Sequence, residues 1–289
     1  MLYTIKNEYL TVVASDAGAE LQSVTDRDGE ERLWQGDPAY WGKRAPILFP
    51  FCGRVWNNLA TVNGVPCNPG MHGFFRGSKT VLEEQTDSSL TFLLTDSPET
   101  LAKYPFRFEA RVSYRLCDDT VTVSLAVTNT DSRTMYYGYG AHPGFRMPYA
   151  GGEAKDYYLQ FPSKEGAQSL RFDPMGHYPI GGSDPLDLVD GDKLYLDGEH
   201  FIGGSAVLCD MPKEVTLATA RSDKRVTVSY PDFPYLTLWR DLRADFICIE
   251  PWCSLPATYQ KSTELTEKPD LVSVGAGQTN THTYTVRFE

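Results

Sequence analysis

The 289-residue sequence predicts an all-β sandwich, read as one continuous domain over 1–289. Three observations carry that expectation. Apolar and polar residues alternate at period two, most cleanly at Val121, Val123, Leu125 and Val127, as half-buried antiparallel strands require. Turn dipeptides such as Asp28-Gly29 and Asn63-Gly64 punctuate the runs, and both tolerate the positive φ of tight hairpins. No helical period persists beyond about two turns, and no fixed-period repeat is present. Many short strands without long helices define a sandwich.

Taken in order, 10–13 and 20–24 read as strands, followed by a turn at 26–29 and a return through Leu33-Trp34. The run 45–54 is apolar but holds Pro46 and Pro50, which oppose helix and central strand alike, so it reads as an ordered loop delivering Arg54. Past Asn63-Gly64 comes a glycine-punctuated loop, 69–77, with His72 and Arg76. Its glycines let the backbone approach a ligand closely. A meander follows over 80–82, 90–94, 106–116 and 120–128, and one short helix over 97–104 takes Ser97 as N-cap and Pro98 as its first residue. Residues 150–205 are rich in Gly, Pro and Asp and read as surface excursions with a few short strands such as 157–161. Strands resume over 215–219, 225–230, 235–239, 244–250 and 281–288.

Composition narrows the function. Hydrophobic content of 41% with 22% charge is that of an ordinary globular protein. The net charge of −11 disfavours nucleic acid and anionic membranes as partners. Seventeen Tyr and five Trp suit a surface that stacks flat polar ligands such as sugars. No segment approaches the roughly 18 apolar residues of a membrane span. The N-terminus lacks the basic and apolar regions of a signal peptide, and the six cysteines form no C-x-x-C pair. Buried free thiols and a cytoplasmic location are therefore expected. Oligomeric state is not encoded in any feature of the chain.

Two strand ends hold the candidate chemistry. In 244–252, Phe246, Cys248 and Glu250 share one face and Ile247 and Ile249 the other. Pro251 is expected to stop the strand, leaving Glu250 as its last residue, a carboxylate among apolar neighbours. In 138–145 an aromatic strand likewise ends at Pro143, directly after His142. Two strand-end acid–base groups on rigid elements suit proton transfer. A lone buried Glu is more often structural, pairing with an Arg, and a lone His more often a satisfied core residue. His177, His200 and His282 stand in polar or edge contexts and receive no role. His72, His142 and Glu250 could together hold a metal, but no H-x-H or H-x-x-x-H spacing supports that, so no metal is expected. G-x-S-x-G and nucleotide-binding glycine motifs are absent.

Four anchors stand in order along the chain: Gly53-Arg54, Met71-His72-Gly73-Phe74-Phe75-Arg76, Ala141-His142-Pro143 and Ile249-Glu250-Pro251-Trp252. With the opening Asn7 to Leu10 and the block Leu33 to Trp41, they resemble the aldose 1-epimerases (galactose mutarotases), and within them the bacterial LacX-like branch. The resemblance implies a large antiparallel β-sandwich whose concave face binds a free hexose, with no metal or cofactor. It implies His142 as general acid and Glu250 as general base, interconverting anomers by ring opening. Arg54, His72 and Arg76 would bind the sugar or steady the pair, and Trp239 would supply an apolar wall. One departure stands out: Ser205 falls where the family usually has an acidic sugar-binding residue. Two alternatives keep the same fold. A hexose-6-phosphate 1-epimerase would need a cationic clamp, for which Arg54, Arg76, Lys43 and Arg44 are the candidates. A non-catalytic sugar-binding protein would keep the platform and lose the chemistry.

Overall fold

The computed structural model describes residues 1–163, 166–196, 201 and 205–289. Among these, two large antiparallel sheets dominate, one of nine strands and one of eight. The nine-stranded sheet is centred on the hairpin Phe108–Cys117/Thr120–Asn129, whose second strand also pairs with the sequence-distant Thr279–Phe288. The eight-stranded sheet runs from the hairpin Gln168–Phe172/Pro179–Pro185 through Ser205–Cys209, Tyr235–Trp239 and Phe246–Trp252 to Gly140–Ala141 and Ile47–Leu48.

The alternation read from the sequence builds the core. Val121, Val123, Leu125 and Val127 are buried in one cluster with Ile247, Ile249, Leu236, Leu238 and Leu208 from the other sheet. The two inner faces therefore interdigitate as a sandwich. The opposite face of the eight-stranded sheet carries its own small clusters: Ala244, Phe246 and Cys248 packed by Trp34, Trp41 and Trp239, and Leu48, Cys52 and Trp252. This second face holds the site.

Local features match their sequence signals closely. The helix spans Pro98–Lys103 and Ser97 caps it, accepting from the Thr100 N–H. Asn63 and Gly64 both take positive φ between two short strands. At Asp28-Gly29 only Gly29 does so, because the Asp26 carboxylate accepts from the N–H groups of Asp28 and Glu30 and widens the turn. All six cysteines are free thiols, although Cys117 is exposed.

Three expectations need correction. The strand Phe246–Trp252 continues through Pro251. The Ile249 and Cys253 N–H groups donate to Pro143 and Tyr139, so the Pro251 nitrogen faces that same neighbour. There His142-Pro143 interrupts the partner strand, and little pairing is lost for want of a donor. The run 45–54 is not wholly loop, since Ile47–Leu48 forms an edge strand against Gly140–Ala141, where proline is tolerated. The excursion 150–205 is more ordered than its composition suggests: Gly181 and Gly182 lie inside the strand Pro179–Pro185. His200 and Gly203-Gly204 lie outside the described residues.

Candidate active site

Glu250 sits on a strand buried along its whole length and is 1% exposed. Its neighbour on one side is Thr237, directly opposite in register. On the other side, Gly140 pairs with Trp252 and Gly144 with Cys248. A single register carries through both pairs and places His142 opposite Glu250. Side chains directly across an antiparallel pair project to the same face. His142 Nε2 accordingly lies 3.3 Å from Glu250 Oε2.

Glycine makes the surrounding geometry possible. Gly140 and Gly144 share His142's face, two residues to either side. A Cβ at Gly144 would meet the Trp41 ring at 2.8 Å, and one at Gly140 would meet Trp252 at 2.8 Å. In the space so vacated, Trp41 stacks on His142 with ring centroids 4.8 Å apart. Trp252 donates from Nε1 to Glu250 Oε2 at 3.2 Å. Trp41 is itself fixed by a turn at Asp37, whose carbonyl accepts from its N–H. Its own carbonyl accepts from Trp34 Nε1.

His72 arrives from the loop 69–77. Its N–H donates to the Gly53 carbonyl at 2.7 Å, and its Nδ1 accepts from the Gly53 N–H at 3.1 Å. An accepting Nδ1 leaves the hydrogen on Nε2, so His72 is a neutral ring that donates from Nε2. The clamp holds His72 at φ 60, a conformation few non-glycine residues adopt. The glycine expectation for this loop is revised. A Cβ on Gly73 would meet the Phe49 carbonyl at 2.0 Å, so Gly73 serves close backbone packing rather than a ligand.

These groups face a cavity of about 330 Å³, which Arg54, His72, Arg76, His142, Trp239 and Glu250 all line. The six residues that the resemblance assigns to catalysis and sugar binding are therefore brought together. Lys43 and Arg44 are not. Lys43 pairs with Glu20 at 3.4 Å, and the Arg44 guanidinium donates to Gln22 and Gln35. Ser205 begins a strand opposite Trp239 and also lines the cavity. Asp210 does not, so Glu250 is the only carboxylate among the described lining residues.

Sequence reading missed several neighbours. His177 lines the cavity, placed by a turn in which Asp173 accepts from the N–H groups of His177 and Tyr178. Asp173-Pro174 and Gly176 signalled a turn, but nothing local told which face it would cover. Thr237, Trp41 and Trp252 also line the cavity. His282 is remote from the cavity, packed against Tyr137, Tyr139 and Phe233.

Burial sets the electrostatics. It pushes Glu250 well above the usual carboxylate range, opposed by the Trp252 hydrogen bond. It lowers His142 to about 3, with Arg76 adding to the effect. His72 is also held well below the ordinary imidazole value, by burial first and then by His142, Arg76 and Arg54. Glu250 Oε1 and Thr237 Oγ1 are buried without hydrogen-bond partners among the described residues. Such orphaned polar atoms beside a cavity are what a polar ligand would satisfy. For a metal, the set with converging donors is His142, Cys248 and Glu250, whose ligand atoms lie within 4.8 Å of one another. An ion there would have to displace the proton that burial keeps on the Cys248 thiol.

The two packed sheets and this cavity define a galactose mutarotase-like β-sandwich. The solved structure of a galactose mutarotase related enzyme from Lactobacillus acidophilus superposes with a TM-score of 0.93 at 30% identity, covering 100% of this chain and 97% of that one. A galactose mutarotase-like protein from Lactobacillus casei gives 0.92 at 30% identity, with full coverage of both. The plasmid-encoded protein LacX of Lactococcus lactis subsp. lactis is 36% identical over 297 residues, 99% of each chain. The family model for aldose 1-epimerase matches residues 1–287, and the chain belongs to that family.

Proposed function

We propose that this chain is an aldose 1-epimerase that interconverts the α and β anomers of a hexose by opening and reclosing its ring. The observation that carries this reading is the His142–Glu250 pair, 3.3 Å apart across one strand register. It faces a cavity of a size that suits a small ligand. Glu250 acts as general base and takes the proton of the C1 hydroxyl. His142 acts as general acid and gives a proton to the ring oxygen. The bond from C1 to the ring oxygen breaks, C1 becomes an aldehyde carbon, and the chain rotates about C1–C2. Reverse transfers then close the ring on the other face. Protons and electrons balance without any external donor.

The pair must hold one proton at the start and at the end. Burial favours a neutral imidazole beside a protonated carboxyl, which has the same proton count as imidazolium beside carboxylate. The two forms differ only in which side of the contact carries the proton, so the pair titrates as a unit. Substrate hydroxyls and the Trp41 face favour the charge-separated form. His72 Nε2–H, Arg54 and Arg76 supply donors to sugar hydroxyls, and Trp239 supplies an apolar wall.

The test is optical rotation of freshly dissolved α anomers of glucose, galactose and their 6-phosphates, in a weakly catalysing buffer. Accelerated mutarotation of at least one, lost in both His142→Ala and Glu250→Gln, supports the reading. Full turnover in Glu250→Gln would overturn the base assignment, and no acceleration of any sugar would overturn the activity.

A further inference from the structure

The two carboxylate oxygens of Glu250 keep unequal company. Oε2 accepts from Trp252 Nε1 at 3.2 Å and lies 3.3 Å from His142 Nε2. Oε1 is buried without a hydrogen-bond partner among the described residues. Directly opposite in register stands Thr237, 2% exposed against 1% for Glu250, and its Oγ1 is orphaned in the same way. Side chains opposite one another across an antiparallel pair share a face, with Cβ atoms about 4.5–5.5 Å apart. The neighbour of Thr237 on its other side is Val207, which offers no acceptor. Ser205, the other hydroxyl among the described lining residues, lies two positions along, opposite Trp239. Both orphans are sealed from bulk water, so each has the other as the polar partner within reach.

Resting on the reading above, we infer that Thr237 is a positioning residue for Glu250, turning its hydroxyl to donate to Oε1 when the carboxylate carries the charge. A threonine hydroxyl changes direction by a rotamer step about Cα–Cβ, with no backbone movement. A hydrogen bond to an ionised acceptor is stronger than one to a neutral acceptor, so the contact favours carboxylate over carboxyl. It thereby places the pair's single proton on His142, as the general-acid role requires. An ionised carboxylate has about four lone-pair sites, so Oε1 accepts from Thr237 and still takes the C1 proton. With Trp252 on Oε2 and Thr237 on Oε1, one donor on each oxygen fixes the carboxylate plane.

Thr237→Val removes the hydroxyl and keeps the shape, so the fold should be as stable or more so; Thr237→Ala is the second hydroxyl-free variant should the first misfold. With the sugar the native chain turns over fastest, kcat in Thr237→Val is expected to fall about 10-fold or more. KM should change little, and Thr237→Ser should recover most of the loss. Without its donor the carboxylate holds its proton more tightly, so the alkaline limb of the pH–rate profile should move up by about one pH unit. The titratable and charged groups around Glu250 are Cys248 on its own strand, His142, and Arg54, His72, Arg76 and His177 lining the cavity. The valine variant leaves all six in place, so the shift reads the hydroxyl alone. The protonated-carboxyl infrared band of Glu250, identified by its loss in Glu250→Gln, should titrate at higher pH in Thr237→Val, and this readout needs no sugar. An unchanged kcat would overturn the inference. So would a lower kcat with limb and band unmoved, which assigns Thr237 to packing. If no sugar is turned over, the epimerase reading falls and the band decides alone: the same titration in both chains overturns the contact, and a higher one in Thr237→Val sustains it.

Discussion

Glu250 is under two opposed demands. Its burial raises its proton affinity and its Oε1 lacks a partner, which costs folding free energy, while the proposed reaction requires that same free lone pair. Glu250→Gln keeps an acceptor for Trp252 and removes the ionisable group. It is expected to abolish turnover by at least about 100-fold, preserve sugar binding, and stabilise the fold by about 0.5–2 kcal/mol at neutral pH. Parallel polarimetry and thermal melts check this, and a variant that is both inactive and less stable would contradict the account. The pH–rate profile follows from the same pair. A second proton arrives only as pH falls through the lowered His142 value of about 3. The single proton departs only as pH rises through the raised Glu250 value. The acid limb of kcat/KM is therefore expected well below the ordinary imidazole range near 6.5, and a limb centred near 6.5 would show that His142 titrates unburied.

At the scale of elements, glycines govern how the strands and loops meet at the site. Gly53 has φ 71, and a Cβ there would sit 2.3 Å from Pro256 Cγ. Gly53→Ala is expected to destabilise by about 1–3 kcal/mol and to release His72, because Gly53 clamps that ring through its N–H and the His72 backbone through its carbonyl. Gly144→Ala is expected to push Trp41 off His142 and lower kcat with a smaller stability loss, read as steady-state kinetics beside a denaturant titration. Gly64→Ala is the control: its positive φ lies in an open turn with nothing within 4 Å, so it should cost about 1 kcal/mol with unchanged turnover. Strand faces, the helix cap and the Asn63-Gly64 turn were readable because each depends on residues a few positions apart. The hairpin that carries His177 was not readable, since its residues are polar and Gly-rich and its order comes from the sheet edge it joins.

Over the whole molecule, three histidines, one buried and two partly buried, tie stability to pH. His72, His142 and His282 are all held below the ordinary value by burial, whereas in the unfolded chain they protonate near 6.5. The unfolded state therefore binds more protons below that point, and stability falls as pH drops from about 6.5 toward the folded values. Glu250 acts in the opposite sense, since burial raises its folded value above the ordinary carboxylate range, so its cost grows as pH rises through that range. Melting curves across pH 4–8 should show the loss on the acid side, and His142→Ala should flatten part of it. An unchanged slope in that variant would mean its imidazole is protonated in the folded chain.

The amino-acid order by itself determined the all-β class, most strand faces, the capped helix and the placing of one histidine and one glutamate each beside a proline on a strand. Those are properties of period-two alternation and local backbone chemistry, which act over a few residues. The tertiary structure alone decided that His142 stands opposite Glu250, that Gly140 and Gly144 vacate space for Trp252 and Trp41, and that Arg54 and Arg76 face the cavity while Lys43 and Arg44 are bound elsewhere. Register and loop packing join residues over a hundred positions apart, and no local preference encodes which of two faces, or which of four cations, meets the site.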